Sequence, residues 1–419
     1  MAYLTELFPI HRSTTGPGVR ETLARLGTSI PMTVHEVPTG TEVFDWVIPK
    51  EWRIRDAFVA DLGGRRVIDY AASNLHVVGH SRPIDTTVSR DELLRHIHTR
   101  PDLPSVIPYR TSVFDETWGF CMRHDALADL TDARYRVVID SELRDGSLSY
   151  GEVLLPGSSD DEIVITTHIC HPSLANDNLS GIVVLAALAA EQVAIPRRLG
   201  LRMLFLPGTI GALAWLHANS ATHDRIRHGL VIAGVGDAGE HTYKRTFGGA
   251  AGIDQAVELA LRDRDKAHRI EPFTPWGYDE RQFNAPGFRL PFGRLSRTPH
   301  GTYPEYHTSA DDLAFVDPGQ MADTLDLLCE VLAVLDRDRV LVSGNPHGEP
   351  RLGRRGLMSR TGGRTHIDPD EHDLLWVLSM ADGEHRLSDV ARRSGRRFVD
   401  VARAADALEA VGLVRALDP

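Results

Sequence analysis

The sequence has few cysteines and no long hydrophobic run. Its 419 residues include three cysteines, Cys121, Cys170 and Cys329, which lie far apart and form no Cys-X-X-Cys pair. Neither a disulfide framework nor a thiolate zinc site is therefore expected. The longest apolar run, residues 182–190, is too short to span a bilayer. The N-terminal residues lack the basic and apolar regions of a signal peptide. Together these absences predict a cytoplasmic protein with no membrane partner.

Positive charge is also in short supply. There are 46 lysines and arginines against 58 aspartates and glutamates, which gives a formal net charge of −12. Nucleic acids and membrane surfaces are anionic and repel such a chain, so neither is expected as a partner. The 42% of hydrophobic and 25% of charged residues are typical of a globular protein.

The segments change character along the chain. Short apolar runs, broken by Pro49 and by Gly63-Gly64, predict a small β-rich insert over residues 39–99. From about residue 135, fully apolar strands alternate with helices, which is typical of a sheet covered by helices on both faces. We assign residues 1–38 and 100–345 to this α/β domain. Its functional side chains are expected where strands end.

The C-terminal part has a different pattern. Residues 346–366 are rich in Gly, Pro and Arg and predict a linker. Residues 367–419 contain three short amphipathic segments followed by an apolar one, which predicts a winged helix. Residues 354–419 carry 11 arginines and 11 acidic residues, so this tail has no net charge. The balance favours a docking or dimerisation module over a DNA-binding one, and a homo-oligomer is compatible with the sequence.

The stretch THICHPSLANDNLSG, residues 167–181, lies between a predicted strand and a predicted helix. It contains His168, His171 and Asp177, and imidazole and carboxylate are ligand types that zinc accepts. A helix cap needs one polar residue rather than several, so the pattern favours a site. Cys170 lacks a free base beside it and is interpreted as a small apolar residue rather than a nucleophile.

Two further polar positions follow later apolar segments. Asp237 comes after GLVIAGVG and is equally compatible with an ordinary turn before Gly239. His307 lies in GTYPEYHTSADDL, residues 301–313. Counted with His168 and Asp177, these residues complete a set of metal ligands at the ends of separate elements.

These motifs resemble the M28-type zinc aminopeptidases, and more closely a family of bacterial aminopeptidase-like proteins. The matching stretches are DWVIPKEW, IPYRTSVF with WGFC, THICHPSLANDNLSG, LPGTIG, VGDAGEHTYK, YDERQF and PEYHTSADDL. The resemblance implies an α/β fold with a mixed sheet flanked by helices, a small β-rich insert and a C-terminal winged helix. It also implies zinc ligands at His168, Asp177, Asp237 and His307.

The sequence departs from the M28 pattern at residues 206–209. M28 enzymes have two adjacent glutamates there, a general base and a metal ligand, where this chain has Leu-Pro-Gly-Thr. One zinc ion is therefore expected rather than two, with His171 as an extra ligand or a base. Another residue must then take the proton from the metal-bound water. The candidates are Glu305, Asp279 and Glu280. Glu305 is slightly preferred, because Glu280 could equally pair with Arg281 at a helix start.

Three residues are candidates for substrate contact, namely Tyr109, Arg110 and Arg281. An arginine can bind a carboxylate through two parallel hydrogen bonds. The sequence as a whole predicts a zinc-dependent hydrolase that cleaves an amide bond in a small peptide or an amide-containing metabolite. Two alternatives stay open: a catalytically inactive peptidase-like binding scaffold, and a metabolite-sensing regulator that binds DNA.

Overall fold

The computed structural model of the protein describes residues 2–358 and 369–417. Within these residues, strands β1 to β19 span, in chain order, Thr33–Pro38, Glu42–Val43, Trp46–Val47, Glu51–Ala60, Arg66–Asp69, Ile84–Ser89, Ile97–His98, Phe120–Cys121, Arg134–Arg144, Ser147–Leu155, Glu162–His168, Gly200–Leu206, Ile226–Ile232, His241–Lys244, His268–Glu271, Phe292–Ser296, Val340–Ser343, Asp382–Arg386 and Val414–Ala416. Helices α1 to α11 span Ala2–Leu7, Pro17–Leu26, Arg90–Arg95, Gly181–Gln192, Ile210–Ala218, Gly252–Asp263, Glu280–Phe283, Pro318–Arg337, Pro369–Met380, Leu387–Ser394 and Phe398–Ala410.

The chain divides into two units, which we describe separately. The first contains the residues up to Gly249 together with His268–Leu325, and the second contains Ala250–Ala267 and the described residues from Asp326 onward. The predicted boundaries at residues 39–99, 345 and 367 follow a different division and stay a prediction.

A mixed eight-stranded sheet forms the first unit's centre, in the order β1-β10-β12-β11-β13-β16-β14-β15. Strands β12, β11, β13 and β16 are parallel, whereas β10 and β14 join them antiparallel. Every residue of β11 and of β12 is buried. Both strands are rich in apolar residues because helices cover both faces of such a sheet. The predicted fold class is confirmed.

Helices α4 and α5 follow β11 and β12 directly, and both are apolar nearly all round. A helix with this composition must be buried rather than half-exposed. Trp215 of α5 is 1% exposed and packs in a core cluster with Phe283 and Phe292, whose rings stack with centroids 3.8 Å apart. This packing fixes the strand ends from which the site is built.

A second sheet of the first unit has four antiparallel strands in the order β5-β4-β9-β6. Its core is a separate cluster that includes Trp52, Phe120 and Tyr135. Strand β9, Arg134–Arg144, pairs along the length of β4, although the sequence places it outside the predicted insert. Long-range strand pairing leaves no local mark in the sequence, since both β4 and β9 read simply as strands.

The second unit contains the winged helix. Helices α9, α10 and α11 occur where the three amphipathic segments are predicted. Strands β18, β17 and β19 form a three-stranded antiparallel sheet; of these, the sequence predicts the last alone. The predicted linker is described as far as Met358, and residues 359–368, 418 and 419 of the predicted linker and winged helix lie outside the described residues.

None of the helices in the two described ranges combines the length and the apolar character that crossing a bilayer requires.

Candidate metal centre

Four side chains from two segments of the chain meet at the end of β11. His168, the last residue of β11, places Nε2 3.0 Å from Asp177 Oδ1. Asp177 Oδ2 lies 2.8 Å from His307 Nε2 and 4.0 Å from His171 Nδ1. Among the described residues, His168, His171 and Asp177 form a group whose ligand atoms all lie within 4.8 Å of one another. One carboxylate is therefore surrounded by three imidazoles, a donor set that suits zinc.

Three atoms at this centre are buried and lack hydrogen bonds among the described residues. Within the described part of the chain, His171 Nδ1, Asp177 Oδ2 and His307 Nε2 have no hydrogen-bond partner. Burial lowers the pKa of His171 well below its usual value. Burial by itself would raise the pKa of Asp177, but the imidazoles of His171, His168 and His307 hold it well below its usual value. Neutral histidine and ionised aspartate are the forms that metal ligands take.

The loop that carries Asp177 is held by backbone hydrogen bonds. A π-helical turn, Ala175–Ser180, joins the loop to α4. The buried carboxylate of Asp311 accepts hydrogen bonds from the backbone N–H groups of Asn176, at 2.5 Å, and Asp177, at 2.9 Å. Burial raises the pKa of Asp311 to about 7. Asp311 therefore orients the segment on which the central carboxylate lies.

A buried arginine holds the preceding residues of the same loop. Arg12 is 1% exposed and donates hydrogen bonds to the carbonyls of His171, at 2.9 Å, and Pro172, at 2.8 Å. A third bond, of 2.6 Å, goes to the carbonyl of Leu7. The guanidinium thus fixes the position of His171 through the backbone.

Two residues at the centre have a strained backbone. His307 has a φ of 55° and Thr209 a φ of 27°, a region that L-residues rarely adopt and that is most unfavourable for a β-branched side chain. At the neighbouring Gly208, a Cβ atom would lie 3.3 Å from His168 Cβ and 3.5 Å from Cys170 Sγ. The Leu-Pro-Gly-Thr segment therefore packs tightly under the centre, and strain of this kind concentrates at functional sites.

Asp279 lies beside this segment. Its carboxylate accepts a hydrogen bond from the backbone N–H of Thr209 and is close enough to His168 to interact with its charge. Burial raises the pKa of Asp279 to about 6. Arg281 approaches from the same turn, with Nη2 3.5 Å from Thr209 Oγ1. A carboxylate from a different element thus contacts the segment where M28 enzymes carry their glutamates.

The other two candidate proton carriers are placed differently. Glu280 is fully buried, and its Oε1 lies 2.6 Å from Lys244 Nζ. The sequence suggests a pairing of Glu280 with Arg281. In the structure Glu280 pairs with Lys244 instead, because α7 directs the side chain into the interior. No hydrogen bond or ion pair of the Glu305 side chain occurs among the described residues, and its carbonyl accepts from Thr308.

Asp237 lies outside the four-residue group. Strand β13 ends at Ile232, and the chain turns away before it reaches Asp237. There the carboxylate accepts hydrogen bonds from Asn176 Nδ2, at 2.9 Å, and from Thr298 Oγ1, at 2.6 Å. The structure therefore places this predicted ligand against the neighbouring loops. Its contact with Asn176 supports the segment that carries Asp177.

Three tyrosines surround the centre. The ring of Tyr109 packs edge-on against His171 and His307, with centroids 5.2 and 5.1 Å away. Tyr278 stacks on His168 and donates a hydrogen bond of 3.2 Å to Asp177 Oδ1. Tyr306 stacks on His307 at 4.0 Å. Arg110, in contrast, is exposed and lies against His98, with Nη1 3.3 Å from Nδ1.

The sequence predicts no functional role for Tyr278, Asp311 or Arg12. Tyr278 precedes the Asp279-Glu280 pair, and Asp311 lies four residues after His307, so their positions near candidate residues were a usable signal. The segment around Arg12 contains no such signal, because the contact with His171 forms only in the folded chain.

The mixed sheet and the histidine–aspartate group at the end of β11 define an aminopeptidase-like protein with the M28 fold. Residues 1–338 match the family described as "Domain of unknown function (DUF4910)", and residues 339–416 match a winged helix-turn-helix family. The chain belongs to the DUF4910 family.

Known relatives agree with this assignment. A protein of Clostridium acetobutylicum is 44% identical over 412 residues, which cover 98% of this chain and 95% of the relative. Its name describes it as a polysaccharide biosynthesis protein with an aminopeptidase-like domain. A crystal structure from the same organism, named as a peptidase, matches with a TM-score of 0.94 and 42% identity over 99% of this chain and 95% of that one.

The zinc aminopeptidase BSAP of Bacillus subtilis matches with a TM-score of 0.57 and 14% identity, over 80% of this chain and 93% of that one. At this identity the match shows a shared fold.

Proposed function

We propose that the protein is a zinc-dependent hydrolase that cleaves an amide bond in a small peptide or an amide-containing metabolite. The observation that carries the proposal is the group formed by His168, His171, Asp177 and His307. Three of its buried atoms, His171 Nδ1, Asp177 Oδ2 and His307 Nε2, face one another without hydrogen bonds in the described part of the chain. A protein keeps such unpaired groups when a bound partner satisfies them.

We propose these four residues as the ligands of one zinc ion. Three imidazole nitrogens and one carboxylate match the chemistry of zinc. When bound, zinc acts as a Lewis acid that polarises an amide carbonyl and makes water more acidic. Asp237 is proposed as a support for the Asp177 loop rather than as a ligand, because Asn176, Gly239 and Thr298 occupy its oxygens.

Asp279 is the proposed proton carrier. Its carboxylate lies at the Thr209 segment, next to His168, and burial raises its pKa to about 6. A carboxyl group with a pKa near neutrality can accept a proton from attacking water and return it to the leaving amine. Arg281 lies on the same turn, where its charge acts on the Asp279 carboxylate. Glu280 is committed to Lys244, and Glu305 is partly exposed.

Cys170 is not proposed as a nucleophile. Burial raises the pKa of its thiol to about 12, and the thiolate is the reactive form of cysteine. Its Sγ accepts a hydrogen bond of 3.2 Å from the backbone N–H of Gly208. We therefore propose that Cys170 packs beneath the site and takes no part in the chemistry.

For the second unit we propose a docking role rather than DNA binding. Of the four arginines before α11, namely Arg392, Arg393, Arg396 and Arg397, two are paired with acidic residues within the unit. Arg396 Nη2 lies 2.9 Å from Asp373 Oδ2, and Arg392 Nη1 lies 2.9 Å from Asp389 Oδ1. Arginines that are already paired neutralise few phosphates.

The test is an assay of the purified, zinc-loaded chain on aminoacyl amides, dipeptides and an N-acetylated amino sugar. The last compound is included because a relative's name refers to polysaccharide biosynthesis. Hydrolysis that a chelator removes and added zinc restores supports the proposal. Tight binding of a compound without turnover supports the inactive scaffold instead.

A further inference from the structure

Beside the metal centre lies a group of buried charges that the proposed chemistry does not use. Lys244 of β14 and Arg294 of β16 are direct cross-strand partners, and both are 2% exposed. Like charges in this position repel each other. The fully buried Glu280 lies 2.6 Å from Lys244 Nζ but 3.8 Å from Arg294 Nη1. Glu271, at 3.7 Å from Arg294, is 40% exposed. Arg294 and Lys244 therefore share the fully buried carboxylate of Glu280, which lies closer to Lys244 than to Arg294.

Arg294 fixes the tautomer of a histidine. Its Nη1 lies 3.2 Å from His300 Nδ1. A guanidinium can only donate, so Nδ1 must accept and the ring proton must lie on Nε2. Burial, followed by the charge of Arg294, lowers the pKa of His300 to about 4, which keeps the ring neutral. In the described residues, neither His300 Nε2 nor Arg294 Nε has a hydrogen-bond partner, although both atoms are buried.

This unused donor lies one side chain away from the metal centre. The His300 ring is 4.9 Å from the ring of Tyr278, which donates to Asp177. It is 6.2 Å from Tyr306, which stacks on His307. An imidazole donor with a guanidinium behind it thus lies one aromatic ring away from the centre, and that combination suits an anionic oxygen.

We propose that His300, held by Arg294, binds a carboxylate group of the substrate next to the scissile amide and so selects anionic substrates. This inference rests on the proposed function, because it assigns the substrate class of the same site. Arg294 acts as a positioning residue through His300. The carboxylate can be the terminal group of a dipeptide or a side chain of its first residue, and the experiment separates the two.

The test compares two pairs of substrates that differ in one charge. The first pair is alanylglycine and alanylglycinamide, and the second is the p-nitroanilides of glutamate and glutamine. Two variants are compared with the wild type. His300→Phe keeps the ring stacking and removes the donor, whereas His300→Gln keeps an N–H group. His217→Phe is the matched control, because His217 is an exposed histidine at the end of α5. Both kcat/KM and zinc content are measured.

The account predicts that the wild type prefers one carboxylate member by about 10- to 100-fold in kcat/KM, the size of one charged hydrogen bond. The pair that shows the preference identifies the source of the carboxylate. His300→Phe should abolish it by raising KM at unchanged zinc content, while His300→Gln and His217→Phe retain it. Equal use of both members of each pair by the wild type, or an undiminished preference in His300→Phe, would overturn the inference.

A binding measurement separates this inference from the proposed function. Calorimetric titration of the metal-depleted chain with the same four compounds needs no turnover. If no compound is hydrolysed, the proposed function fails, while tighter binding of a carboxylate member that His300→Phe removes still supports the subsite. Binding that does not distinguish the members of either pair contradicts it.

Discussion

His307 Nε2 lies 2.8 Å from Asp177 Oδ2, with no hydrogen bond between them. The first residue follows β16 and the second precedes α4, so the fold alone brings them together. His307 has a positive φ of 55°, and its carbonyl oxygen accepts a hydrogen bond of 2.8 Å from the backbone N–H of Tyr109. The strained backbone and this hydrogen bond hold the imidazole against the carboxylate, as a preformed ligand would be held.

His171 is the proposed ligand that the usual M28 pattern does not include, so its loss is informative. We expect His171→Ala to lower zinc affinity by about 100-fold or more, since loss of even an outer-shell partner costs about 10- to 100-fold. Competition with a chromogenic chelator measures the affinity. His217→Ala serves as the control, because that imidazole is exposed. An unchanged affinity in His171→Ala would remove this residue from the ligand set.

Asp279→Asn tests the proton carrier. The substitution keeps the size of the side chain but removes the basic carboxylate, so kcat should fall by about 10²- to 10⁴-fold while zinc content stays the same. Glu305→Gln is measured beside it, because Glu305 is the carrier preferred from the sequence. A large loss of kcat in Glu305→Gln, with little change in Asp279→Asn, would reverse the assignment.

Asp311→Ala should destabilise the metal-free chain by about 2 kcal/mol or more. The buried N–H groups of Asn176 and Asp177 lose their acceptor, and each such loss costs about 1–3 kcal/mol. Urea denaturation in the presence of a chelator measures the effect without the contribution of bound metal. Asp312→Ala is the matched control, since Asp312 is exposed and accepts from the local turn alone. Equal losses of unfolding free energy in both variants would show that Asp311 does not support this loop.

Glu51 gives a prediction about pH. It is 3% exposed and lies 2.6 Å from Arg20 Nη2 and 3.2 Å from Arg144 Nη2. The hydrogen bond from Arg20 is the largest cause that lowers the pKa of Glu51 to about 2. Because the folded-state pKa lies below the unfolded one, the stabilisation is present above about pH 4.5 and is lost as the pH falls toward 2.

Glu51→Gln should therefore be less stable than the wild type at neutral pH, and the difference should shrink as the solution is acidified. Thermal denaturation at several pH values measures it. Glu116→Gln, at an exposed position, should show no such trend. A difference that is constant between pH 7 and pH 3 would contradict the assignment.

The sequence predicts the fold class well, because the main elements carry local signals. Strands β11 and β12 are buried throughout and largely apolar, and each is followed by an apolar helix. The pairing of β9 with β4 and the strands β17 and β18 are not predictable in this way. Strand β18, Asp382–Arg386, is polar and half-exposed, so its sequence resembles a turn.

The candidate site is likewise predictable from the sequence only in part. His168, His171 and Asp177 lie within ten consecutive positions between a strand and a helix, so one motif indicates all three. The environments of Asp279 and Glu280 depend on contacts with Thr209 and Lys244, which are distant in sequence. Burial and pKa are properties of the folded chain, and a motif cannot supply them.

Metal stoichiometry, measured with activity in one titration, tests the central claim most directly. The chelated chain is titrated with zinc, and bound metal and amide hydrolysis are recorded at each step. We expect activity to rise linearly and to saturate at one zinc per chain, and we expect His168→Ala neither to retain the ion nor to regain activity. Hydrolysis that persists in the metal-free chain, or saturation at two ions per chain, would contradict it.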